Sequence, residues 1–320
     1  MNLHQFSIKS IDDVLICTNL AGLLEISGWP KPGNVHRTKN FKETRFEHFL
    51  AGISAIQIHY QKLCVHIKLN LKRSDNDYSF IKLGEFYSNA AEEMIRWQKG
   101  GNVLLGHILI LAPLIAASVI CLVSKRSSLD NFQNTIQKVI TDATVDDTIG
   151  LYEAIRICQP GGLGKAEKYD LNDDNAFKDI RENNITLKKI FTISKEYDMI
   201  SNEYSTNYNI VLNEGLPYFL NQIQISQDIN VVVVNTFLRL LSKYPDTLII
   251  RKAGIKKAKE VTEQALRIIE LGGISSENGL KMAFKLDQRL HESSGKFNPG
   301  STADLLAGII FCALLYGIRF

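Results

Sequence analysis

Apolar residues recur three and four positions apart along most of this chain, the spacing that lines one face of a helix. Residues 10–26 carry Ile11, Val14, Leu15, Leu20, Leu23 and Leu24 in that register. Residues 46–71, 83–98, 128–140, 148–158, 184–204, 208–224, 255–271, 279–291 and 301–316 repeat the pattern. Residues 229–244 contain Val231 to Val234, which alone suit a strand. The run continues through Phe237-Leu238-Arg239-Leu240-Leu241, so its length predicts a helix. No stretch alternates apolar and polar residues, and no strand–helix–strand unit recurs. The expectation is an all-α fold: a single compact multi-helix domain over residues 1–320.

Residues 103–123 are almost wholly apolar and long enough to span a bilayer, with Lys125 and Arg126 behind them. The stretch also holds His107, Pro113, Ser118 and several small residues, and no second clear span accompanies it. It is read as a buried central helix, since a helix apolar on all sides can form the core of a large domain. No membrane association is expected.

Hydrophobic residues make up 45% of the 320, enough to fill a large core, and a net charge of +3 is too mild for general nucleic-acid binding. The five cysteines are scattered, with no Cys-x-x-Cys pair, which suggests neither a zinc site nor a disulfide framework. The first residues lack the apolar core of a signal peptide. Together these predict a cytoplasmic protein; a homo-oligomer is compatible with them.

Unusual residues gather where the helical pattern breaks. In Phe297-Asn298-Pro299-Gly300-Ser301-Thr302-Ala303-Asp304, Pro-Gly makes a turn, Ser301 or Thr302 can cap the next helix, and Asp304 falls in its first turn. Such a terminus is either simply capped or holds a phosphate, with Asp304 suited to magnesium. In Glu25-Ile26-Ser27-Gly28-Trp29-Pro30-Lys31-Pro32-Gly33, prolines stiffen the loop, Lys31 suits a phosphate and Glu25 suits a general base. Gly100-Gly101-Asn102 leads into the apolar helix, and Asn102 either caps it or meets a ligand. His107 reads as a hydrogen-bonded core residue. Asp146 and Asp147 suit caps, magnesium ligands or a base. The run from Pro160 to Lys165 lacks the spacing of a nucleotide P-loop. Residues 244–254 read as irregular, with Arg251 and Lys252 either a solvated basic face or a polyphosphate clamp.

In this order the pieces resemble the triphosphoribosyl-dephospho-CoA synthase family. That family carries Glu ahead of Pro-Lys-Pro-Gly, matched by Glu25 and Pro30 to Gly33. It carries an Asn and a Gly leading into a central apolar helix, matched by Asn102 and Gly106. A Pro-Asp-x-x-x-x-Arg-Lys-like segment is matched by Pro245, Asp246, Arg251 and Lys252. The terminal Asn-Pro-Gly-x-Ser/Thr-Ala-Asp-Leu-Leu-Ala, the most specific piece, is matched by Asn298 to Ala307. The likeness runs over nearly the whole chain.

The resemblance implies an all-α enzyme in which the ribose 2′-hydroxyl of 3′-dephospho-CoA attacks C1′ of ATP and adenine leaves. It implies Glu25, Asp147 or Asp304 as base, and magnesium on Asp304 or Asp246. Lys31, Pro32, Gly33, Asn102, Gly106, Arg251, Lys252, Gly300, Ser301 and Thr302 would hold the nucleotide. Bacterial members usually have Asp where His36 stands, a His near position 41, and His-Lys where Leu104-Leu105 stand. These departures leave the acceptor open. The alternatives are another nucleotide- or phosphoribosyl-processing enzyme on the same scaffold, and a non-catalytic nucleotide-binding protein.

Overall fold

Two helices with no polar face form the centre. These are α4 (Leu105–Ser124) and α15 (Gly300–Leu315), both buried along nearly their whole length. They pack closely because Gly308 leaves no Cβ to meet Ile110, which would lie 2.8 Å away. The computed structural model describes residues 3, 5–73, 75–162, 164, 168–293 and 295–320. Among them the only extended pairing is a single bridge between His36 and Lys39, so the expected all-α class holds.

Further helices wrap this centre: α1 (Ile11–Ser27), α2 (Phe46–Asn70), α3 (Leu83–Trp97), α5 (Leu129–Asp142) and α6 (Val145–Cys158). Smaller helices α7 (Ala176–Glu182), α8 (Leu187–Ser194) and α9 (Met199–Ser205) lead to α10 (Leu216–Ile225) and α11 (Ile229–Lys243). The chain ends with α12 (Thr247–Ala253), α13 (Ile255–Glu270), α14 (Glu277–His291) and α15. Their buried faces join one continuous apolar core. α4 is long and apolar enough to cross a membrane, but 83% of its most apolar window lies inside the fold.

Pro113 within α4 cannot donate to the carbonyl of Leu109, which would otherwise be an orphan in the core. The Tyr204 hydroxyl donates to that carbonyl at 2.7 Å, and Tyr208 donates to the carbonyl of Ile110 at 2.9 Å. Since the Tyr204 proton is committed, Tyr87, whose hydroxyl lies 2.6 Å away, donates to Tyr204. A proline that normally breaks a helix is thereby held inside the central one.

Several expected boundaries move. The helix expected over 184–204 is two, because Asp198 caps α9 by accepting the N–H of Ser201. The one expected over 208–224 opens with a wide π turn at Ile210–Gly215. Its first amides, those of Ile210 and Val211, donate to the buried carboxylate of Glu203. Burial pushes that carboxyl up to about 7. α6 starts three residues earlier than expected, with Thr144 as its cap, and the supposedly irregular residues 244–254 contain α12.

Candidate active site

The C-terminal end of α1, the following loop, and the N-terminal ends of α4 and α15 bring four ionisable side chains together. Lys31 is fully buried, and its ammonium donates to the Glu25 carbonyl at 2.7 Å and to the Glu25 carboxylate. A buried ion pair holds only when both charges are hydrogen-bonded, and here the far carboxylate oxygen lies 3.3 Å from His107 Nε2. The same nitrogen lies 3.8 Å from Asp304 Oδ1, so His107 stands between two carboxylates. Gly106 makes this possible: a Cβ there would lie 1.8 Å from Asp304 Oδ2.

The two carboxyls differ in their surroundings. Burial pushes Glu25 up, but Lys31 and His107 outweigh it and hold the group below its usual range. Among the described residues Asp304 has no hydrogen-bond partner, and it is one-fifth exposed. Burial, opposed by His107 but helped by the negative charges of Glu25, Asp246 and Asp198, pushes it up to about 7. It is the open, titratable member of the cluster.

The loop carrying Lys31 is pinned from behind. Gly33, at φ 77°, donates its N–H to Asp287 Oδ1 at 3.1 Å, and a Cβ there would strike Leu290 and the Phe297 carbonyl. The Asn34 side chain donates to Asn298 at 2.9 Å, which joins the two Pro-Gly loops directly.

At the other side, Asp246 caps two helices at once. Its Oδ1 accepts the N–H groups of Leu248 and Ile249, and its Oδ2 accepts both the N–H and the hydroxyl of Thr302. Thr247 donates to the Ser301 hydroxyl at 2.9 Å. One turn further along α12, Arg251 pairs with Asp198 at 2.7 Å while its Nε is buried without a partner. Gly161 and Gly162 lie against Lys252 and Arg251, so the loop after α6 meets this cationic edge. Leu163 and Lys165 of that run lie outside the described residues.

The structure therefore unites Glu25, Lys31, Pro32, Gly33, Gly106, Gly300, Ser301, Thr302 and Asp304 around neighbouring helix ends. It corrects the expected roles of four residues. Lys31 faces Glu25 and not a phosphate, because its ammonium has no exposure. Asp147 is a buried cap that accepts the N–H groups of Thr144 and Gly84, which ties α6 to α3, and none of the four clustered side chains touches it. Asp246 has all of its roughly four lone-pair positions taken and is no metal ligand. Asn102 accepts the N–H of Leu105 as a simple cap. Neither Ser301 nor Thr302 caps α15, which begins at Gly300 and whose first turn is capped across space by Asp246, leaving Asp304 one residue beyond that turn.

Magnesium prefers oxygen donors and commonly takes one or two carboxylates plus substrate phosphates. Among the described residues no three His, Cys, Asp or Glu side chains are grouped to hold a metal, and Asp304 is the single open carboxylate of the cluster. The donor set does not fit an ion held by the protein alone.

Sequence reasoning missed His107, Asp198 and Asp287. A histidine in an apolar helix directly after a glycine was a signal for the first; nothing in the local pattern marked the other two.

An all-helical fold thus brings a buried Lys–Glu–His chain up to one open aspartate. The sequence profile of the CitG family, described as ATP:dephospho-CoA triphosphoribosyl transferase, matches residues 12–319, and the chain belongs to that family. A curated relative from Klebsiella pneumoniae, named 2-(5''-triphosphoribosyl)-3'-dephosphocoenzyme-A synthase, is 27% identical over 105 residues. One from Salmonella gallinarum, named as a probable enzyme of the same kind, is 29% identical over 105 residues. Each match covers 33% of this chain and 34% of the relative, so the chain spans about a third of the length of these relatives. A crystal structure from Archaeoglobus fulgidus, provisionally named a triphosphoribosyl-dephospho-CoA synthase, superposes with a TM-score of 0.62 at 24% identity. It covers 84% of this chain and 100% of its own, which shows the shared fold.

Proposed function

We propose that this protein transfers the triphosphoribosyl group of ATP to the 2′-hydroxyl of 3′-dephospho-CoA and releases adenine. The observation that carries the reading is Asp304. It is an open carboxylate poised near neutrality, set by Gly106 and the Asn298 to Ala307 segment at the meeting of both Pro-Gly loops.

In the transfer, the acceptor hydroxyl oxygen forms a bond to C1′ and the bond from C1′ to adenine N9 breaks. Asp304 takes the hydroxyl proton, and adenine leaves with the bonding electrons and a proton from solvent. A general base works best with a pKa close to the working pH, which favours Asp304 over the fully paired Glu25 and the capping Asp147. Negative charge near C1′ also stabilises an oxocarbenium-like transition state, as in glycosidases. Glu25, fixed by Lys31, orients His107, which in turn faces Asp304. Arg251 and Lys252, at the end of α12, supply positive charge for the phosphates. Any magnesium arrives on the triphosphate. The five free, buried cysteines support a reducing, cytoplasmic setting.

The test is incubation with ATP, magnesium and dephospho-CoA, followed by chromatography of the bases and nucleotides. Free adenine that accumulates only with dephospho-CoA supports the transfer. Adenine without acceptor dependence, or ADP in its place, points to another nucleotide-processing reaction. ATP binding with no turnover points to a non-catalytic binder.

A further inference from the structure

The loop between α1 and α2 is anchored on a buried trio that the chemistry above does not use: His36, Asp287 and His291. His36 is 1% and Asp287 4% exposed. The Asp287 carboxylate accepts the Gly33 N–H at 3.1 Å and faces His36 Nε2 at 3.3 Å, while His291 Nδ1 hydrogen-bonds the Asp287 backbone carbonyl at 2.9 Å and lies 3.0 Å from the carboxylate. The other nitrogen of His36 accepts the Thr38 backbone N–H at 3.4 Å, which fixes the ring with its proton on Nε2, toward Asp287. Phe41 lies against His291 with ring centroids 5.0 Å apart. Burial opposes the charge on Asp287, but His291 and His36 hold its carboxyl well below the usual range.

Such an arrangement exceeds what a turn needs. Gly33 sits two residues after Lys31, and the left-handed backbone at Gly33 directs its amide into α14. The hold on that amide sets where Lys31 enters the core, hence the orientation of Glu25, His107 and Asp304. A group that positions a catalytic array without touching substrate is expected to change turnover more than binding.

We propose that Asp287 is a positioning residue for the transfer reaction, fixing the Lys31 loop through Gly33, with His36 and His291 orienting its carboxylate. This rests on the transferase reading, so its test includes a readout free of activity. Asp287→Asn keeps the shape and loses the charge that the two imidazoles face. Hydrogen–deuterium exchange of the segment 31–36 is expected to quicken at least tenfold, with α15 and α4 unchanged. The kcat for adenine release is expected to fall ten- to a hundredfold with the KM for ATP within twofold.

His36→Gln keeps an N–H donor toward Asp287 and is expected to stay within threefold of wild type. His36→Leu removes it and is expected to lose about tenfold; it also carries the test if Asp287→Asn does not fold. Unchanged exchange over 31–36 in both Asp287→Asn and His36→Leu overturns the proposal. So does a loss spread equally over kcat and ATP binding, or faster exchange throughout the chain. If wild type releases no adenine, the transferase reading fails, while exchange over 31–36 still decides whether Asp287 fixes the loop.

Discussion

Replacing Gly106 with alanine adds one methyl group in the first turn of α4, and that methyl would sit 1.8 Å from Asp304 Oδ2 and 2.1 Å from its Cγ. Ordinary contact begins near 3.4 Å, so the carboxylate has to withdraw by about 1.6 Å. A misplacement of about 1 Å can cost on the order of 100-fold in rate. Gly106→Ala should therefore lower kcat by at least about 100-fold. The helix itself should tolerate the change, since alanine is favoured over glycine by roughly 0.5–1 kcal/mol in a helix. The assay is dephospho-CoA-dependent adenine release, paired with a thermal melt followed by circular dichroism. The expected result is near-complete loss of turnover with a melting temperature within a few degrees of wild type. Turnover within threefold of wild type would refute the placement of Asp304 at the reacting centre. Loss of turnover with a collapsed melt would show that Gly106 serves packing alone.

Two further outcomes follow from the same geometry. Tyr204→Phe leaves the Leu109 carbonyl without its donor in a buried site beside Pro113, which should cost about 1–3 kcal/mol and lower the melting temperature by several degrees; an unchanged melt would mean that another group reaches that carbonyl. As a base with its carboxyl raised to about 7, Asp304 should give kcat/KM an acid limb that rises to half its plateau near that pH, and Asp304→Asn should abolish the limb. The stability sign runs the other way: a raised carboxyl contributes fully below its unfolded value, and the contribution is lost as pH climbs to about 7. Asp304→Asn should thus melt above wild type at pH 8, with the gap closing toward pH 4.

The fold was readable wherever one helical face was apolar. Ile11 to Leu24 placed α1, and the unbroken apolar run placed α4, because burial follows period and length. Periodicity failed where a capping side chain starts a new helix inside an apolar pattern or caps one from far along the chain. Asp198 divides the pattern over 184–204 in two, and Asp246 both starts α12 and caps α15. The caps on α9 and α12 are local and stood in the sequence as Asp ahead of a helix, whereas the bond from Thr302 to Asp246 spans 56 residues and depends on a neighbour that a window of residues does not contain.

The candidate site was half readable. Glu25, Lys31, Gly33, Gly106 and Asp304 stood in motifs, and the structure gathers them. Their roles were less clear, since charge alone cannot tell a lysine that meets a phosphate from one that braces a glutamate. His107 reads as a core residue by its apolar surroundings, and it is one; it is also the link between Glu25 and Asp304.

A crystal structure with ATP and magnesium bound tests the central claim most directly. The ribose C1′ is expected beside Asp304 and Gly106, with the phosphates toward Arg251 and Lys252. Nucleotide density elsewhere, for example in the shallow groove between α1 and α2 lined by Asp12, Ile16, Ser54 and Ile58, would contradict it.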